Sequence, residues 1–222
     1  MIVARDLAYA YPRGGFGLRV PALDLAAGEK LAVVGPSGSG KSTLLDLIAG
    51  IRRPDGGALL VDGVDVPALS EAGRRAFRAA RIGFVFQTFE LIDYLSARDN
   101  ILYPYMISPA LRLDAAVRAR AGALAQAAGV ADKLDRRPGD LSQGERQRVA
   151  ICRALVAKPR LILADEATGN LDPANKGVVL DLLFAQAADA GAAVLAVTHD
   201  HDLLPRFDRV VDFAGFADRS AA

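Results

Sequence analysis

Short apolar runs separated by helical patterns extend along most of the chain. Residues 30–34 form an apolar run between Gly28 and Gly35, which predicts a buried strand, and a helical stretch at 41–49 follows at once. Further apolar runs of strand length predict core strands at 81–86, 161–164, 193–197 and 208–213. Strands that alternate with helices are typical of a mainly parallel sheet, so the pattern predicts an α/β core.

Two regions depart from this alternation. Residues 2–11, 18–25 and 58–61 predict an antiparallel β layer near the N-terminus. The segment from about 90 to 158 has few strand signals and carries an alanine-rich helical pattern at 113–128. We therefore expect a single domain over residues 1–222, with a helical subdomain inserted between two core strands.

Composition excludes several classes of protein. The chain has 222 residues, of which 52% are hydrophobic and 24% charged, as in ordinary folded proteins. Its net charge of +1 gives no electrostatic reason to expect nucleic acid as a partner. The single cysteine, Cys152, excludes a disulfide scaffold and lies in an apolar helical pattern, so we expect it to be buried.

Targeting signals are not apparent in the sequence. The N-terminus lacks a basic start followed by an apolar stretch, and no run approaches the ~18 apolar residues of a membrane helix. We expect a cytoplasmic protein. Because the last predicted strand lies close to the C-terminus, we expect no regulatory domain after it.

Residues 35–42 read G-P-S-G-S-G-K-S and fit the phosphate-loop pattern G-x-x-x-x-G-K-[ST], after a predicted strand and before a predicted helix. Glycines let backbone N–H groups surround phosphate oxygens, and a helix N-terminus favours negative charge. We expect Lys41 to reach the β- and γ-phosphates and the Ser42 hydroxyl to bind Mg²⁺. The predicted nucleotide-binding residues here are Gly35, Pro36, Ser37, Gly38, Ser39, Gly40, Lys41, Ser42 and Thr43. The motif alone does not separate an ATPase from a GTPase or a small-molecule kinase.

Two adjacent carboxylates end the apolar run at 161–164. At the end of a strand, neighbouring side chains point in different directions. Asp165 is then placed to hold the Mg²⁺ shell while Glu166 acts as general base on water. The alternative is a pair of solvated acids in a loop, which the nearby phosphate loop makes the weaker interpretation.

Residues 141–145 read L-S-Q-G-E and have a complete local explanation as a helix start. Ser142 is an N-cap, Glu145 completes a capping box, and residues 149–156 supply the apolar face of the helix. The stretch also resembles the LSGGQ-type signature of ABC ATPases. Gln143 stands where that signature commonly has glycine.

The order of motifs along the whole chain is similar to that of ABC transporter ATP-binding subunits. The matching elements are Tyr11, residues 35–42, Gln87, residues 141–145, Asp165-Glu166, residues 169–172 and His199. Ala167 departs from the proline that usually follows the two acids. The resemblance implies the ABC ATPase fold, ATP and Mg²⁺ as ligands, and hydrolysis of ATP.

The resemblance also implies individual roles. Tyr11 would stack on adenine, with Tyr9 as a rival and a core aromatic as the alternative. Gln87 would approach Mg²⁺ or the attacking water and would sense a membrane partner. His199 would hydrogen-bond the γ-phosphate, whereas we expect His201 on the surface at the next helix start.

In this family the signature binds the nucleotide held by another subunit. Ser142, Gln143, Gly144 and Glu145 would therefore close on ATP across a dimer interface, and Asp172 would cross the same interface. One chain carries one set of groups, which implies a homodimer or a heterodimer with a similar cassette.

The stretches 81–87 and 164–172 are most similar to the lipoprotein-release, MacB-type and FtsE-type group. That resemblance implies a separately encoded permease, attachment to the inner face of the membrane through it, and export or mechanical coupling. Within residues 88–94, the apolar Phe89, Leu91 and Ile92 either form a socket for the permease or pack inside the helical subdomain.

Other interpretations lack their expected features. Ribosome-acting ABC proteins resemble two cassettes in one chain and DNA-repair types carry long coiled coils; a soluble ABC ATPase without a membrane partner remains the alternative. A GTPase should show an Asn-Lys-x-Asp motif, which we do not find. A non-hydrolysing module would lack Glu166 or His199.

Overall fold

The computed structural model describes residues 1–12, 16–171 and 173–218. The predicted interface residue Asp172 lies outside these residues. The strands are β1 Ile2–Ala10, β2 Gly17–Leu25, β3 Lys30–Val34, β4 Gly56–Val61, β5 Val64–Asp65, β6 Ile82–Phe86, β7 Leu161–Asp165, β8 Ala193–Val197, β9 Arg209–Asp212 and β10 Ala217–Asp218. The helices are α1 Lys41–Ile48, α2 Glu71–Arg81, α3 Ala97–Ile107, α4 Ala115–Ala127, α5 Gln143–Leu155 and α6 Pro173–Ala190. Short 3-10 helices lie at Ala131–Lys133, Pro138–Asp140, His201–Arg206 and Ala214–Phe216.

A parallel sheet forms the centre of the molecule, in the order β6-β7-β8-β3-β9. All five residues of β8 are buried, which is typical of a strand covered on both faces. The ends of β3, β6, β7 and β8 lead into the phosphate loop, Gln87, Glu166 and His199. The α/β core predicted from the apolar runs is confirmed.

The second sheet is antiparallel, in the order β10-β2-β1-β4-β5. Along the start of β1, buried Ile2 and Ala4 alternate with exposed Val3, as expected for a sheet with one face on the core. Leu44 and Ile48 of α1 belong to the same apolar cluster as these strand residues. The predicted antiparallel layer is confirmed, and α1 packs between it and the parallel sheet.

Helices α3, α4 and α5 occupy the segment between β6 and β7, and they share an apolar cluster that includes Ile101, Val117 and Val149. Cys152 is buried in this cluster at 1% exposure, as predicted. Burial raises the pKa of its thiol to about 12. The division of the chain into a core and a helical subdomain remains a prediction.

No range was predicted for helices α2, α3 and α6 or for the two-residue strands β5 and β10. Helix α2 begins after Ser70, whose hydroxyl accepts a hydrogen bond from the Gly73 N–H at 3.1 Å. None of its residues is fully buried, and its apolar positions are alanines apart from Phe77, so the apolar stripe that marks a helix is weak in its sequence. Among the described residues, none of the helices has the length and apolar character to cross a membrane.

Candidate nucleotide site

The phosphate loop joins β3 to α1 through glycines with left-handed backbone. Gly38 has φ 78° and Gly40 has φ 96°. A residue with a Cβ atom would be strained at the φ of Gly40, and its Cβ would also lie 2.6 Å from the ring of Phe16. No side chain caps α1, and its first turn holds no acidic residue. The N–H groups at this helix end are therefore available to an anion.

The phosphate loop encloses the ammonium group of Lys41 and the hydroxyl of Ser39. The Lys41 ammonium donates to the carbonyl oxygens of Gly35 and Pro36 at 2.8 and 2.9 Å, and the residue is only 7% exposed. The Ser39 hydroxyl is buried and has no hydrogen-bond partner in the described chain. A buried cation and an orphaned hydroxyl beside free N–H groups are suited to phosphate oxygens.

A cavity of about 310 Å³ lies over the loop. It is lined by Tyr11, Phe16, Ser37, Gly38, Gly40, Lys41, Ser42, Thr43, Asp165 and Glu166. Sequence reasoning missed Phe16, because no motif marks an aromatic residue there. Its only signal is its position after the glycine-rich residues that follow Tyr11.

Tyr11 forms one wall of this cavity, and Tyr9 does not line it. The Tyr11 hydroxyl lies 3.1 Å from Thr43 Oγ1, and its ring meets the Phe16 ring edge-on at 6.0 Å. The Arg52 guanidinium lies 4.7 Å from the Tyr11 ring and donates to the Tyr9 hydroxyl at 2.9 Å. The geometry therefore favours Tyr11 over Tyr9 as the aromatic that meets a ligand; stacking on adenine remains a prediction.

Asp165 and Glu166 end β7 and face different partners. Ser42 and Asp165 line the cavity together, and the Ser42 hydroxyl influences the Asp165 carboxyl. Burial raises the pKa of Asp165, and the proximity of Ser42 opposes that rise. Glu166 has φ 46°, a left-handed conformation, and its N–H donates to the Val197 carbonyl at 3.0 Å. The partner of the Glu166 carboxylate is His199.

His199 meets Glu166 at the rim of the cavity. Its Nδ1 lies 3.0 Å from Glu166 Oε1, and its side chain is 63% exposed. The strand end of β8 places the histidine beside the acid, so two predicted catalytic residues come together. His201 is exposed at the start of its 3-10 helix, as predicted.

Gln87 lies beside the cavity and does not line it. Its carbonyl accepts from the Asn170 side chain at 2.8 Å, and a Cβ atom at Gly169 would lie 3.0 Å from its amide nitrogen. Of the three predicted Mg²⁺ ligands, Ser42 and Asp165 are therefore adjacent and Gln87 stands farther back.

The oxygens of Ser42 and Asp165 suit Mg²⁺, which prefers hard oxygen ligands and keeps several waters or phosphate oxygens. Among the described residues, no group of three or more histidine, cysteine or acidic side chains is arranged to hold a metal. Such a sparse protein contribution fits a cation that is shared with a bound nucleotide.

The signature stretch lies apart from this cavity. Ser142 N–H donates to Glu145 Oε2 at 2.8 Å and Glu145 N–H donates to Ser142 Oγ at 3.3 Å, so the predicted capping box is present. The bond from the Ser142 N–H holds the pKa of Glu145 below its usual value. Ser142 and Gln143 are exposed, and no residue of 142–145 lines the chain's own cavity.

A larger cavity of about 550 Å³ lies between α2, β6 and α3, and we call it the α2–α3 groove. Apolar residues that line it include Ile51, Ala72, Ala76, Ala79, Ile82, Phe84, Phe86, Pro104, Ile107, Pro109, Ala110, Ala154 and Ala157. Phe89, Leu91 and Ile92 do not line it, and Leu91 packs against the helical cluster instead. The packing of Leu91 agrees with the alternative of packing inside the helical subdomain, and the socket itself remains a prediction.

Comparison with known proteins agrees with this geometry. A family described as ABC transporter matches residues 18–169, more than half of the chain. The chain belongs to the ABC transporter ATP-binding family. ABC cassettes of this family hydrolyse ATP, so the chain is an ATPase and the kinase and GTPase alternatives are excluded.

Relatives of this ABC cassette include lipoprotein-releasing system ATP-binding proteins, LolD. The protein from Paramagnetospirillum magneticum is 46% identical over 189 residues, which cover 85% of this chain and 83% of the relative. The protein from Pseudomonas fluorescens is 40% identical over 214 residues, covering 95% and 93%. The predicted resemblance to the lipoprotein-release group is confirmed.

Solved ABC structures share the fold. A dimeric post-hydrolysis state of the ATP-binding cassette MJ0796, bound to ADP and Pi, matches with a TM-score of 0.85 and 30% identity over 98% of both chains. The cassette cbiO1 from Clostridium perfringens, part of the cbiONQ transporter complex, matches with a TM-score of 0.84 and 29% identity over 95% of this chain and 83% of its own. The predicted ABC ATPase fold is confirmed.

Proposed function

We propose that this ATPase powers a separately encoded permease of the lipoprotein-releasing type, as an exporter or a mechanically coupled complex. Relatives that are named as lipoprotein-releasing system proteins support this type of permease, and the dimeric state of MJ0796 supports a dimer as the working form. Attachment to the inner face of the membrane would then come from the permease.

The proposed mechanism of hydrolysis rests on Glu166 and His199. Glu166 lines the cavity beside the phosphate loop and lies 3.0 Å from His199 Nδ1. In the proposed reaction Glu166 accepts a proton from the attacking water, and His199 orients the carboxylate and hydrogen-bonds the γ-phosphate. Gln87 is proposed to help place that water.

Ser42, Asp165 and Lys41 are proposed to hold the phosphates. Mg²⁺ held by the oxygens of Ser42 and Asp165 would neutralise phosphate charge. The Lys41 ammonium would exchange the carbonyl oxygens of Gly35 and Pro36 for the β- and γ-phosphate oxygens. The Ser39 hydroxyl would gain the partner that it lacks.

The exposed start of α5 is proposed to complete the site of a second subunit. Ser142 and Gln143 are exposed and lie outside their own chain's cavity, whereas the helix N-terminus favours an anion. Gly144 and Glu145 would accompany them across the interface, as would Asp172. Two chains would then enclose two nucleotides.

The α2–α3 groove is proposed to receive the permease. Its wall is largely apolar, and its charged members are Arg75, Arg78, Arg153 and Glu90, an excess of cations. Ile107, 62% exposed, stands at the groove. This chemistry suits a helix with an apolar face and carboxylates that meet the arginines.

The variant Glu166→Gln tests the catalytic proposal. The amide cannot accept the proton, so hydrolysis should fall by about 10²–10⁴-fold while ATP binding persists. With ATP and Mg²⁺ the variant should elute as a dimer in size-exclusion chromatography. Glu71→Gln, a change at an exposed glutamate on α2, serves as the matched control and should hydrolyse ATP normally.

Two results would contradict the proposal. Hydrolysis at the normal rate by Glu166→Gln would show that Glu166 is not the base. If Glu166→Gln stays monomeric with ATP and Mg²⁺ at every protein concentration, the proposal of a site shared between two subunits is wrong.

A further inference from the structure

The turn that follows Gln87 contains two adjacent residues with left-handed backbone. Phe89 has φ 63° and Glu90 has φ 50°. Residues with a Cβ atom rarely adopt this conformation, and two in succession persist only when surrounding contacts hold them. Within the turn, the Glu90 N–H donates to the Thr88 carbonyl at 2.7 Å and the Thr88 hydroxyl donates to the Glu90 carboxylate at 2.7 Å.

Arg153 binds this turn from outside. Its guanidinium donates to the Phe89 carbonyl through Nη2 at 2.6 Å and to the Glu90 carbonyl through Nη1. It forms no ion pair with a carboxylate in the described part of the chain. The planar guanidinium is suited to two neighbouring acceptors, so both left-handed residues are held by one side chain.

Arg153 also belongs to the helix that begins at the signature. It lies in α5, which starts after Ser142 and runs through Gln143–Leu155. An α-helix is stiff along its axis, so the N-terminal end of α5 and Arg153 move as one body. On the N-terminal side of the turn, the Asn170 side chain donates a hydrogen bond to the Gln87 carbonyl at 2.8 Å.

We propose that Arg153 is a positioning residue that locks the Phe89–Glu90 turn to α5. Gln87 and the signature residues at Ser142 then reach their catalytic places together. Arg153 lines the α2–α3 groove and not the nucleotide cavity, so it acts through the turn. The inference rests on the proposed roles of Gln87 and Ser142.

Steady-state kinetics of the isolated protein test this proposal. In Arg153→Gln, kcat should fall by about tenfold because the catalytic groups are misplaced, and the KM for ATP should stay within about twofold. Arg120→Gln is the matched control, because Arg120 is also partly buried and donates to a carbonyl, that of Val156, at 2.6 Å. It should lose similar thermal stability and keep its kcat.

A second substitution separates positioning from mere support of the fold. Glycine adopts positive φ without steric cost. The double variant Arg153→Gln, Glu90→Gly should therefore have a kcat about threefold higher than that of Arg153→Gln alone. Equal losses of kcat in the Arg153→Gln and Arg120→Gln variants, unchanged kcat in Arg153→Gln, or failure of the rescue would each overturn the proposal.

Hydrogen exchange tests the proposal in the wild-type protein and in a variant that keeps the positive charge of Arg153. In the wild-type protein, ATP and Mg²⁺ should protect residues 87–92 and 141–146 to the same degree. In Arg153→Lys, which keeps the charge and loses the two-acceptor geometry, protection of the two segments should separate. Parallel protection in this variant would overturn the proposal, whereas dimer trapping by Glu166→Gln tests the proposed function independently.

Discussion

The nucleotide cavity and the α2–α3 groove differ in size and in chemistry. The groove, at about 550 Å³, is larger than the cavity, at about 310 Å³. The walls of the groove are apolar with arginines, whereas the cavity is lined by an inward-facing lysine and a carboxyl with a raised pKa, and the orphaned Ser39 hydroxyl lies in the loop beneath it. Polar groups held under constraint are typical of a site that binds or reacts, and a large apolar groove suits the partner that we propose for it.

Both regions place side-chain-bearing residues in the left-handed conformation. Glu166 does so at the cavity, and Glu90 does so at the groove, with Phe89 next to it. The contacts that hold them differ: a strand carbonyl at Val197 binds the Glu166 N–H, whereas a side chain from α5 binds the groove turn. The cavity is therefore built on the sheet, and the groove is tied to a helix.

The largest effect that distinguishes the two regions should come from Asp165→Asn. The loss of a predicted Mg²⁺ ligand should lower hydrolysis by at least about 100-fold. The nucleotide-free variant should nevertheless melt at a higher temperature, because burial penalises the charged carboxylate. For a protein of this size, an increase of roughly 2–4 °C corresponds to about 1 kcal/mol.

The pH dependence follows from the raised pKa of Asp165. As pH rises, the unfolded carboxyl releases its proton before the folded one does, so the wild-type protein loses free energy of unfolding until the folded pKa is passed. The advantage of Asp165→Asn should thus be present at neutral pH, shrink as pH falls through the raised pKa of the folded protein, and be gone below about pH 4, the usual value for an aspartate. Asp189→Asn, at an exposed acid on α6, is the control. A lower melting temperature for Asp165→Asn would contradict the argument.

An intermediate effect should come from the groove. Ile107→Asp puts a carboxylate on its apolar wall, so stimulation of hydrolysis by the permease should fall by about tenfold while basal hydrolysis is unchanged. Val178→Asp is the matched control, because Val178 is an apolar residue on α6 with similar exposure, 57% against 62%. Equal stimulation of both variants in reconstituted vesicles would place the permease elsewhere.

The smallest effect concerns the double role of Ser142. Ser142→Ala and Ser70→Ala each remove an N-cap hydroxyl, so each should cost about 1 kcal/mol of unfolding free energy. Thermal melts should show similar losses. In the Glu166→Gln background, only Ser142→Ala should weaken the nucleotide-dependent dimer. If Ser70→Ala weakened it equally, the capping role alone would explain Ser142.

Much of the fold could be predicted because its core strands are apolar runs with clear ends. The run at 161–164 became β7, extended by the one residue that matters chemically, Asp165. Helix α2 could not be recognised, because Phe77 is its one large apolar residue and Gly73 interrupts it. The Ser70 N-cap is the one sequence signal that marks the start of this helix.

The site was predictable where a motif specifies backbone chemistry, as in the phosphate loop and the capping box. It was not predictable where geometry decides. No local pattern shows that Lys41 turns back to carbonyl oxygens, or that Phe16 faces Gly40. Nor does an apolar pattern show that Leu91 packs inward while the groove lies between α2 and α3.

The burial of Cys152 has a practical consequence for spectroscopy. With its thiol enclosed and its pKa near 12, the native cysteine stays protonated at neutral pH and should not react with maleimide reagents. Single cysteines introduced at exposed positions can therefore carry fluorophores or spin labels without a cysteine-free background. Distances between two labelled subunits would then report opening and closing in real time.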